Sequence, residues 1–319
     1  MSSPRISIIV LNWNGKKDTL ECLRSLQCVP TPHQLIVVDN GSSDDSAVAI
    51  RSTYPQTKLL ETGKNLGYAE GCNVGIRFAL KKQADFLLIL NNDTIVDPGI
   101  LNHFLAAYTR YPFSILSGTP YLYSDPTTLD HLGGRWNPTA GEFDLIGWRA
   151  RSFNKAVCSL DYGCGCALFS SAEVFHAVGE FDARFFLFWE EADWCFRAKR
   201  QGIQVLSCPE ATLQHKASAS FRRRNHYADY FWWRNRLLWI EKNCSRKAQA
   251  CLAFSVITPA VWRLIRHAFL TSLRALLAKK SRAHKRPTIE QQKKRYRAAL
   301  TGIKDYCCRR FYNAPRHLR

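Results

Sequence analysis

The chain has 319 residues, and a hydrophobic share of 46% supplies a sizeable core for one large domain or two small ones. Its twelve cysteines show no regular ladder in a chain that needs no staples, which excludes a disulfide scaffold and fits a reduced, cytosolic protein. The net charge of +19 is uneven: from Arg222 onward 25 Lys and Arg face 4 Asp and Glu, so an anionic partner for the tail is expected, either a membrane surface or nucleic acid.

Residues 6–11 form an uninterrupted β-rich run that ends in Asn12-Trp13-Asn14-Gly15, and Leu20, Leu23 and Leu26 then mark one face of a helix. Before that run, Met1-Ser2-Ser3-Pro4-Arg5 has no charged-then-apolar leader, so no secretory signal is expected. A second strand over 35–38 leads to Asp39-Asn40-Gly41, with Ser42 or Ser43 placed to cap a short helix through Ile50. Asp39 reads equally as a ligand group or as a turn former ahead of Asn40-Gly41. A third strand near 58–61 precedes Asn65-Leu66-Gly67 and a helix to Lys82.

The fourth strand, 86–90, is a short apolar run bounded by polar residues, as in a parallel strand buried on both faces. Its tip, Asn91-Asn92-Asp93, belongs at the carboxyl end, where open α/β sheets bind ligands. Alternation along a strand lets Asn91 and Asp93 point the same way, as a hard divalent cation bridging phosphates requires. Asp97-Pro98 reads as the cap and first residue of the next helix. Strands alternating with helices give an α/β fold with a doubly wound, mostly parallel sheet. Asn-Trp-Asn-Gly after the first strand excludes the Gly-x-Gly-x-x-Gly dinucleotide fingerprint, and no P-loop run exists.

After a fifth strand near 115–118, residues 120–154 read as a loop-rich insertion or hairpin. Cys164 and Cys166, like Cys307 and Cys308, lack zinc spacing and read as buried thiols. Ser171 caps a helix to Val178. The aromatic run Phe185-Phe186-Leu187-Phe188-Trp189 then delivers Glu190, Glu191 and Asp193 to a helix start, with Trp194, Cys195 and Ala198 as its apolar stripe and Arg197, Lys199 and Arg200 opposite. There the helix dipole favours ionised carboxylates while like charge and aromatic surface oppose it, a balance suited to a general base. His215 follows a strand, and Lys216, Ser218 and Ser220 make its surroundings friendly to phosphate.

Beyond Phe221 the composition turns basic and aromatic. The longest uncharged apolar-rich segment, 248–262, is shorter than the roughly 20 residues that span a bilayer, so no transmembrane helix is expected. Over 261–277, Arg263, Arg266, His267 and Arg274 share one helical face against an apolar remainder, as in a helix lying in a membrane interface; Lys279, Lys280, Arg282, Lys285 and Arg286 follow.

These motifs together resemble a family 2 glycosyltransferase of the GT-A fold, in the bacterial rhamnosyltransferase-like branch, over about residues 5–245. The resemblance rests on Leu11-Asn12-Trp13-Asn14, Val37 to Asp44, Asn65 to Asn73, Leu90 to Thr94, Gly179 to Asp182, Trp189 to Asp193 and Trp233-Arg234-Asn235-Arg236. It implies a catalytic domain over 1–221, with a nucleotide-binding and an acceptor half, and a helical region over 222–319. It implies that Asp39 binds the nucleobase or ribose of a nucleoside-diphosphate sugar, with Asn12, Asn14, Asn65, Gly67, Asn91 and Asn92 around that donor, and that Asp93 holds Mg²⁺ or Mn²⁺. Asn91 stands where many relatives have the first Asp of a D-x-D motif, which raises the importance of His215 as a second ligand. Glu191 matches the catalytic base of an inverting displacement, and because relatives usually carry Asp there, Glu190 and Asp193 stay as rivals. A lipid-linked or glycan acceptor, cell-surface polysaccharide assembly and a peripheral place on the inner face of the cytoplasmic membrane are implied as well.

Three other readings stand beside it. A nucleic-acid-binding protein would use the basic aromatic tail but leaves the polar strand tips without a purpose. A nucleotidyltransferase needs a glycine-rich basic loop that Asn12 to Lys17 does not supply, and the third reading is a non-catalytic sugar-binding remnant.

Overall fold

The computed structural model describes residues 3–153, 156–216, 226–278 and 289–315. Two units result, and neither is one consecutive stretch: Met1–Arg135, Asp144–Ala183 and Glu190–Ser218 form the first, and Trp136–Phe143, Arg184–Trp189 and Ala219–Arg319 the second. Ser218, Ser220 and the basic run Lys279, Lys280, Arg282, Lys285 and Arg286 lie outside the described residues.

The first unit is built on one sheet. Strands β1 (Ile6–Asn12), β2 (Gln34–Asp39), β3 (Lys58–Glu61) and β4 (Phe86–Asn91) run parallel in the order β3-β2-β1-β4. Helices α1 (Lys16–Leu26), α2 (Ser46–Thr53) and α3 (Tyr68–Lys81) make the crossovers. β1 is buried along its whole length, as its unbroken apolar run requires.

The chain continues through β5 (Thr94–Val96), α4 (Ile100–Arg110), β6 (Ser114–Leu122), β7 (Asp125–Leu129), β8 (Gly133–Asn137), β9 (Glu142–Ile146) and β10 (Tyr162–Gly163). Strands therefore occupy much of the stretch read as a loop-rich insertion or hairpin, with β7 antiparallel to β6 and β8 beside β9. Next come β11 (Ala167–Ser171), α5 (Ala172–Val178), α6 (Glu190–Lys199) and β12 (Gln204–His215). β11 is antiparallel to β4 and β6. β12 runs parallel to β6 and antiparallel to β5. The core lies between sheet and helices, where Phe169 stacks on Phe104 and Phe86 at centroid distances of 4.9 and 5.3 Å.

Two helix starts depart from the sequence reading. α2 begins at Ser46 after Asp45, since Ser42 and Ser43 bond to the first loop instead. α4 begins at Ile100, since Asp97 Oδ1 accepts from the Gly99 amide at 2.8 Å and closes a turn before the helix. Ser171 does cap α5, accepting from Val174 N.

The second unit contains α7 (His226–Asn243), α8 (Arg246–Leu252), a π-helical turn over Ala253–Ile257, α9 (Thr258–Ala278) and α10 (Ile289–Cys307). α10 packs on α7 through Tyr230 Oη donating to Asp305 Oδ2 at 2.9 Å, the Arg295–Asp229 ion pair, and Gly302, where an added Cβ would lie 2.3 Å from the Tyr230 carbonyl oxygen. The expectation that no helix is long enough to span a bilayer is corrected: Arg246–Leu270 is 25 residues of continuous helix, long and apolar enough by length and composition, and little of it is buried. The sequence reading stopped at charged residues, whereas the helix runs through them.

Candidate active site

Register brings the polar strand ends together. Asn12 lies opposite Asp39, and Leu11 opposite Asn91, so the carboxyl ends of β1, β2 and β4 share one edge. Asn12 Nδ2 donates to Asp39 Oδ1 at 2.7 Å and to Ser42 Oγ at 3.0 Å, while Thr19 Oγ1 donates to Asn12 Oδ1 at 2.7 Å. The Ser42 amide donates to Asp39 Oδ2 at 3.1 Å, so both oxygens of this buried carboxylate are held. Asn14, at φ 49°, accepts from Ser43 N at 2.7 Å. Asn65 Oδ1 accepts from Gly67 N at 2.8 Å, and Gly67 enters α3 at φ 87°, a conformation that favours glycine. Asn92 Nδ2 donates to Thr19 Oγ1 at 2.8 Å.

Asn40, which the sequence reading passed over as part of a turn, ties this edge together. Its Oδ1 accepts from Leu66 N at 2.9 Å and its Nδ2 donates to Gly67 O at 3.0 Å, which joins the β2 and β3 loops.

Asn91 and Asp93 do not alternate along one strand as expected, because β4 ends at Asn91 and Asp93 sits in the turn before β5. Asn91 Oδ1 accepts from Tyr68 Oη at 2.9 Å. Asp93 instead faces His215, since β12 pairs His215 with Thr94 and Lys216 N donates to Asp93 O at 2.9 Å. His215 Nε2 is 3.3 Å from Asp93 Oδ1, and its Nδ1 is 2.8 Å from Asp130 Oδ2. Burial opposes protonation of His215, but the carboxylates of Asp130 and Asp93 outweigh it and push its pKa up to about 10.

Asp130 had no signal in the sequence, as it lies in the segment read as a loop-rich insertion or hairpin. Its contribution is to fix the imidazole: an Nδ1–H held by a carboxylate leaves Nε2 directed at Asp93, the arrangement of metal-ligating histidines. Among the described residues no group of three or more His, Cys, Asp or Glu side chains is arranged to hold a metal ion. One carboxylate and one imidazole converge here, oxygen and nitrogen donors of the kind a divalent cation accepts.

The acids arrive from the other side of the turn Cys164-Gly165-Cys166. Tyr68 Oη, which bonds Asn91, also lies 3.1 Å from Gly165 O, and the Glu191 side chain packs on Gly165, with its Cγ 3.4 Å from where a Cβ would stand. Asn91 N donates to Cys166 O at 3.0 Å. The tip of β4 and the first turn of α6 therefore meet through one tyrosine and one turn. Cys164 Sγ lies 3.3 Å from Cys166 Sγ and 3.5 Å from His131 Nε2, and none of the twelve cysteines is in a disulfide.

The three acids are not equivalent. Asp193 is fully buried, and Arg197 Nε donates to its Oδ2 at 3.0 Å. Arg197 also donates to the carbonyls of Val178 and Glu180, which anchors α6 to the preceding turn instead of lying on an exposed face as the sequence suggested. Among the described residues neither Glu190 nor Glu191 has such a cation. Burial pushes the Glu190 carboxyl well above the usual carboxylate range, and the Glu191 charge adds to it. Burial also raises Glu191, to which a neutral Glu190 donates a hydrogen bond that favours the Glu191 carboxylate. Each keeps a buried Oε2 atom without a hydrogen-bond partner among the described residues.

Comparison with known proteins decides the family. The model of glycosyl transferase family 2 matches residues 7–178, more than half of the chain. The chain belongs to glycosyl transferase family 2. It is 26% identical over 241 residues to the low-salt glycan biosynthesis hexosyltransferase Agl10 of Haloferax volcanii, covering 73% of this chain and 74% of that one. It is 27% identical over 246 residues to the N-acetylglucosaminyl-diphospho-decaprenol L-rhamnosyltransferase of Mycobacterium tuberculosis, covering 65% and 79%. The fold is GT-A: the mannosyltransferase PcManGT from Pyrobaculum calidifontis, solved with GDP-Man and Mn²⁺, superposes with a TM-score of 0.58 at 14% identity, over 96% of this chain and 88% of that one. Glycosyl transfer in glycan synthesis is the reaction class of this family 2 enzyme.

Proposed function

We propose that this family 2 enzyme is an inverting glycosyltransferase that moves a hexose, with rhamnose the leading candidate, from a nucleoside-diphosphate sugar to a hydroxyl of a lipid-linked or polysaccharide acceptor. The observation that carries the reading is the common edge: Asp39, Asp93 and Glu191 stand on three separate elements, and Tyr68, Asn91 and the Cys164–Cys166 turn join them. In this reading the nucleoside lies along β1 and β2, where Asp39, already braced by Asn12 and Ser42, accepts from a ribose hydroxyl or base N–H. Asn14, Asn65, Gly67 and Asn92 shape the loops around it.

Asp93 and His215 would hold Mg²⁺ or Mn²⁺, with Asp130 orienting the imidazole. The cation supplies neutralisation of the departing diphosphate. To serve as a ligand His215 would have to give up the proton that Asp130 and Asp93 favour on it. Glu191 is the general base. It takes the proton of the acceptor hydroxyl as that oxygen bonds to the anomeric carbon, the bond from that carbon to the diphosphate breaks with its electron pair, and the configuration inverts. Glu190 stays protonated and hydrogen-bonds Glu191, and Asp193 is held by Arg197 as a support for the helix.

The rhamnosyl preference and the lipid-linked acceptor are supported by the names of relatives such as the decaprenol-linked rhamnosyltransferase. The reading of peripheral attachment to the inner face of the cytoplasmic membrane is supported by a stripe of exposed Trp262, Ile265, Phe269 and Leu273 at helical spacing on α9. Arg263 and Arg266, within the same helix, disfavour a transbilayer course.

The test is a panel of UDP-, GDP- and dTDP-sugars with Mn²⁺, scored by release of the nucleoside diphosphate in the presence of lipid-linked sugar acceptors. One donor is expected to dominate. Glu191→Gln should lower turnover by about 10²- to 10⁴-fold, the contribution of a general base, with donor affinity retained. Asp93→Asn should lose turnover together with its dependence on Mn²⁺. Full turnover in both variants would overturn the site.

A further inference from the structure

The backbone that leads into Glu190 is unusual. Phe186, Phe188 and Trp189 have φ of 64°, 69° and 75°, left-handed values that non-glycine residues adopt at a cost of about 1–3 kcal/mol each. A segment with three such residues in four holds its shape only if something fixes it. Two adjacent side chains of α7 do so, both fully buried. Asn235 Nδ2 lies 2.7 Å from Phe185 O, 2.7 Å from Leu187 O and 2.9 Å from Phe188 O. Arg234 places Nη2 2.9 Å from Arg184 O and 2.8 Å from Phe185 O, and its Nη1 donates to Tyr312 O. Its Nε donates to Asn235 Oδ1 at 2.9 Å, which sets the amide so that its N–H groups face the loop.

Asn235 thus spends its donors on a chain of carbonyls that ends one residue before Trp189, the neighbour of Glu190. A buried arginine with no carboxylate bonded to its guanidinium among the described residues is also expensive, and burial lowers the pKa of Arg234 despite the opposing pull of Tyr230 and Asp305. Ordinary packing would be served as well by an apolar pair. We propose that Arg234 and Asn235 are positioning residues for the catalytic acids: they hold residues 184–188 in the one backbone path that delivers Glu190 and Glu191 at the first turn of α6. The assignment rests on Glu191 being the base, as argued above.

The test uses the full chain and the donor that the nucleotide-sugar panel selects. Asn235→Asp keeps the side-chain volume and the contact with Arg234 but presents an oxygen to three carbonyls. It should lower kcat by about 10- to 100-fold, the scale of a 1 Å misplacement, with the KM for donor unchanged and UDP, GDP or dTDP bound with Mn²⁺ as in the parent. The acidic limb of the kcat profile should move toward lower pH, as a looser loop admits water to Glu191, which otherwise faces Glu190, Cys164 and His131. Arg295→Ala, which breaks an ion pair to Asp229 elsewhere in the same unit, should leave kcat and the pH limb in place. If Asn235→Asp does not fold, Arg234→Lys keeps the charge, loses the fork to Arg184 and Phe185, and should give the same pattern.

A parent-like kcat and pH limb in the folded variant would overturn the proposal. So would an equal loss in Arg295→Ala, or failure of both clamp variants to fold, since each makes the pair a plain stability element. Full turnover in Glu191→Gln would instead mark failure of the underlying base assignment.

Discussion

Glu190 and Glu191 are neighbours in sequence and unlike in chemistry. Burial and the charge of its partner keep Glu190 protonated to a higher pH than an unfolded chain, in which it titrates near 4.5. Between those two values the folded state binds the extra proton, so this residue's contribution makes stability fall as pH rises. Glu190→Gln, which mimics the protonated acid, should therefore be more stable than the parent at pH 8 by on the order of 1 to 3 kcal/mol, with the gain shrinking toward pH 4.5. Urea melts at the two pH values measure it, and a gain that grows on acidification would contradict the assignment. Since Gln still donates to Glu191, this variant should keep turnover where Glu191→Gln loses it. The acid cluster was visible from three carboxylates behind an aromatic run. Their division of labour was not, because it depends on Arg197 turning inward and on a proton shared inside a buried pair.

Elements were legible where a local pattern sets them. The run from Phe86 to Leu90, the Ser171 cap and the apolar stripe of α6 each follow from neighbours in sequence, and the structure carries all three. Asp130 was invisible as a functional candidate, since its partner is 85 residues away and nothing local distinguishes it; Asn235 stood inside the Trp233 to Arg236 motif, but its role was hidden because its partners are about 50 residues away. The helix pair α7 and α10 is similar: its close approach depends on Gly302 lying against the Tyr230 carbonyl. Gly302→Ala would bring a methyl to 2.3 Å of that oxygen, so the helices must move apart. Calorimetry should register a loss of about 1–3 kcal/mol, the usual cost of overpacking, whereas Thr301→Ala, whose hydroxyl bonds only Arg297 O within its own helix, should be near neutral. Equal stability of the two variants would mean that the contact is not tight.

At the scale of the whole molecule the basic excess lies beyond Arg222, and α9 offers an apolar stripe on one side while His267, on another, stacks on Tyr296 of α10. A membrane surface would use both features. The protein should co-sediment with vesicles rich in phosphatidylglycerol and release partly as salt rises. Trp262→Ser with Phe269→Ser should weaken that binding at least about tenfold, as two buried aromatic side chains are lost from the bilayer. Oligonucleotides should not compete at equal charge concentration; competition that the double variant leaves intact would favour the nucleic-acid reading.

The chain passes between its two units repeatedly: 136–143 and 184–189 belong with the C-terminal helices, where Trp136 meets Trp239 at 4.3 Å and Arg236 donates to the carbonyls of Ala140 and Gly141. Recombination at a single point near residue 218 would thus graft a foreign tail onto a body that retains two short segments shaped for the old one. Such hybrids begin with orphaned carbonyls and an uncovered tryptophan. Any exchange of the tail has to carry those two segments along, so the genetic module is three separated pieces of sequence.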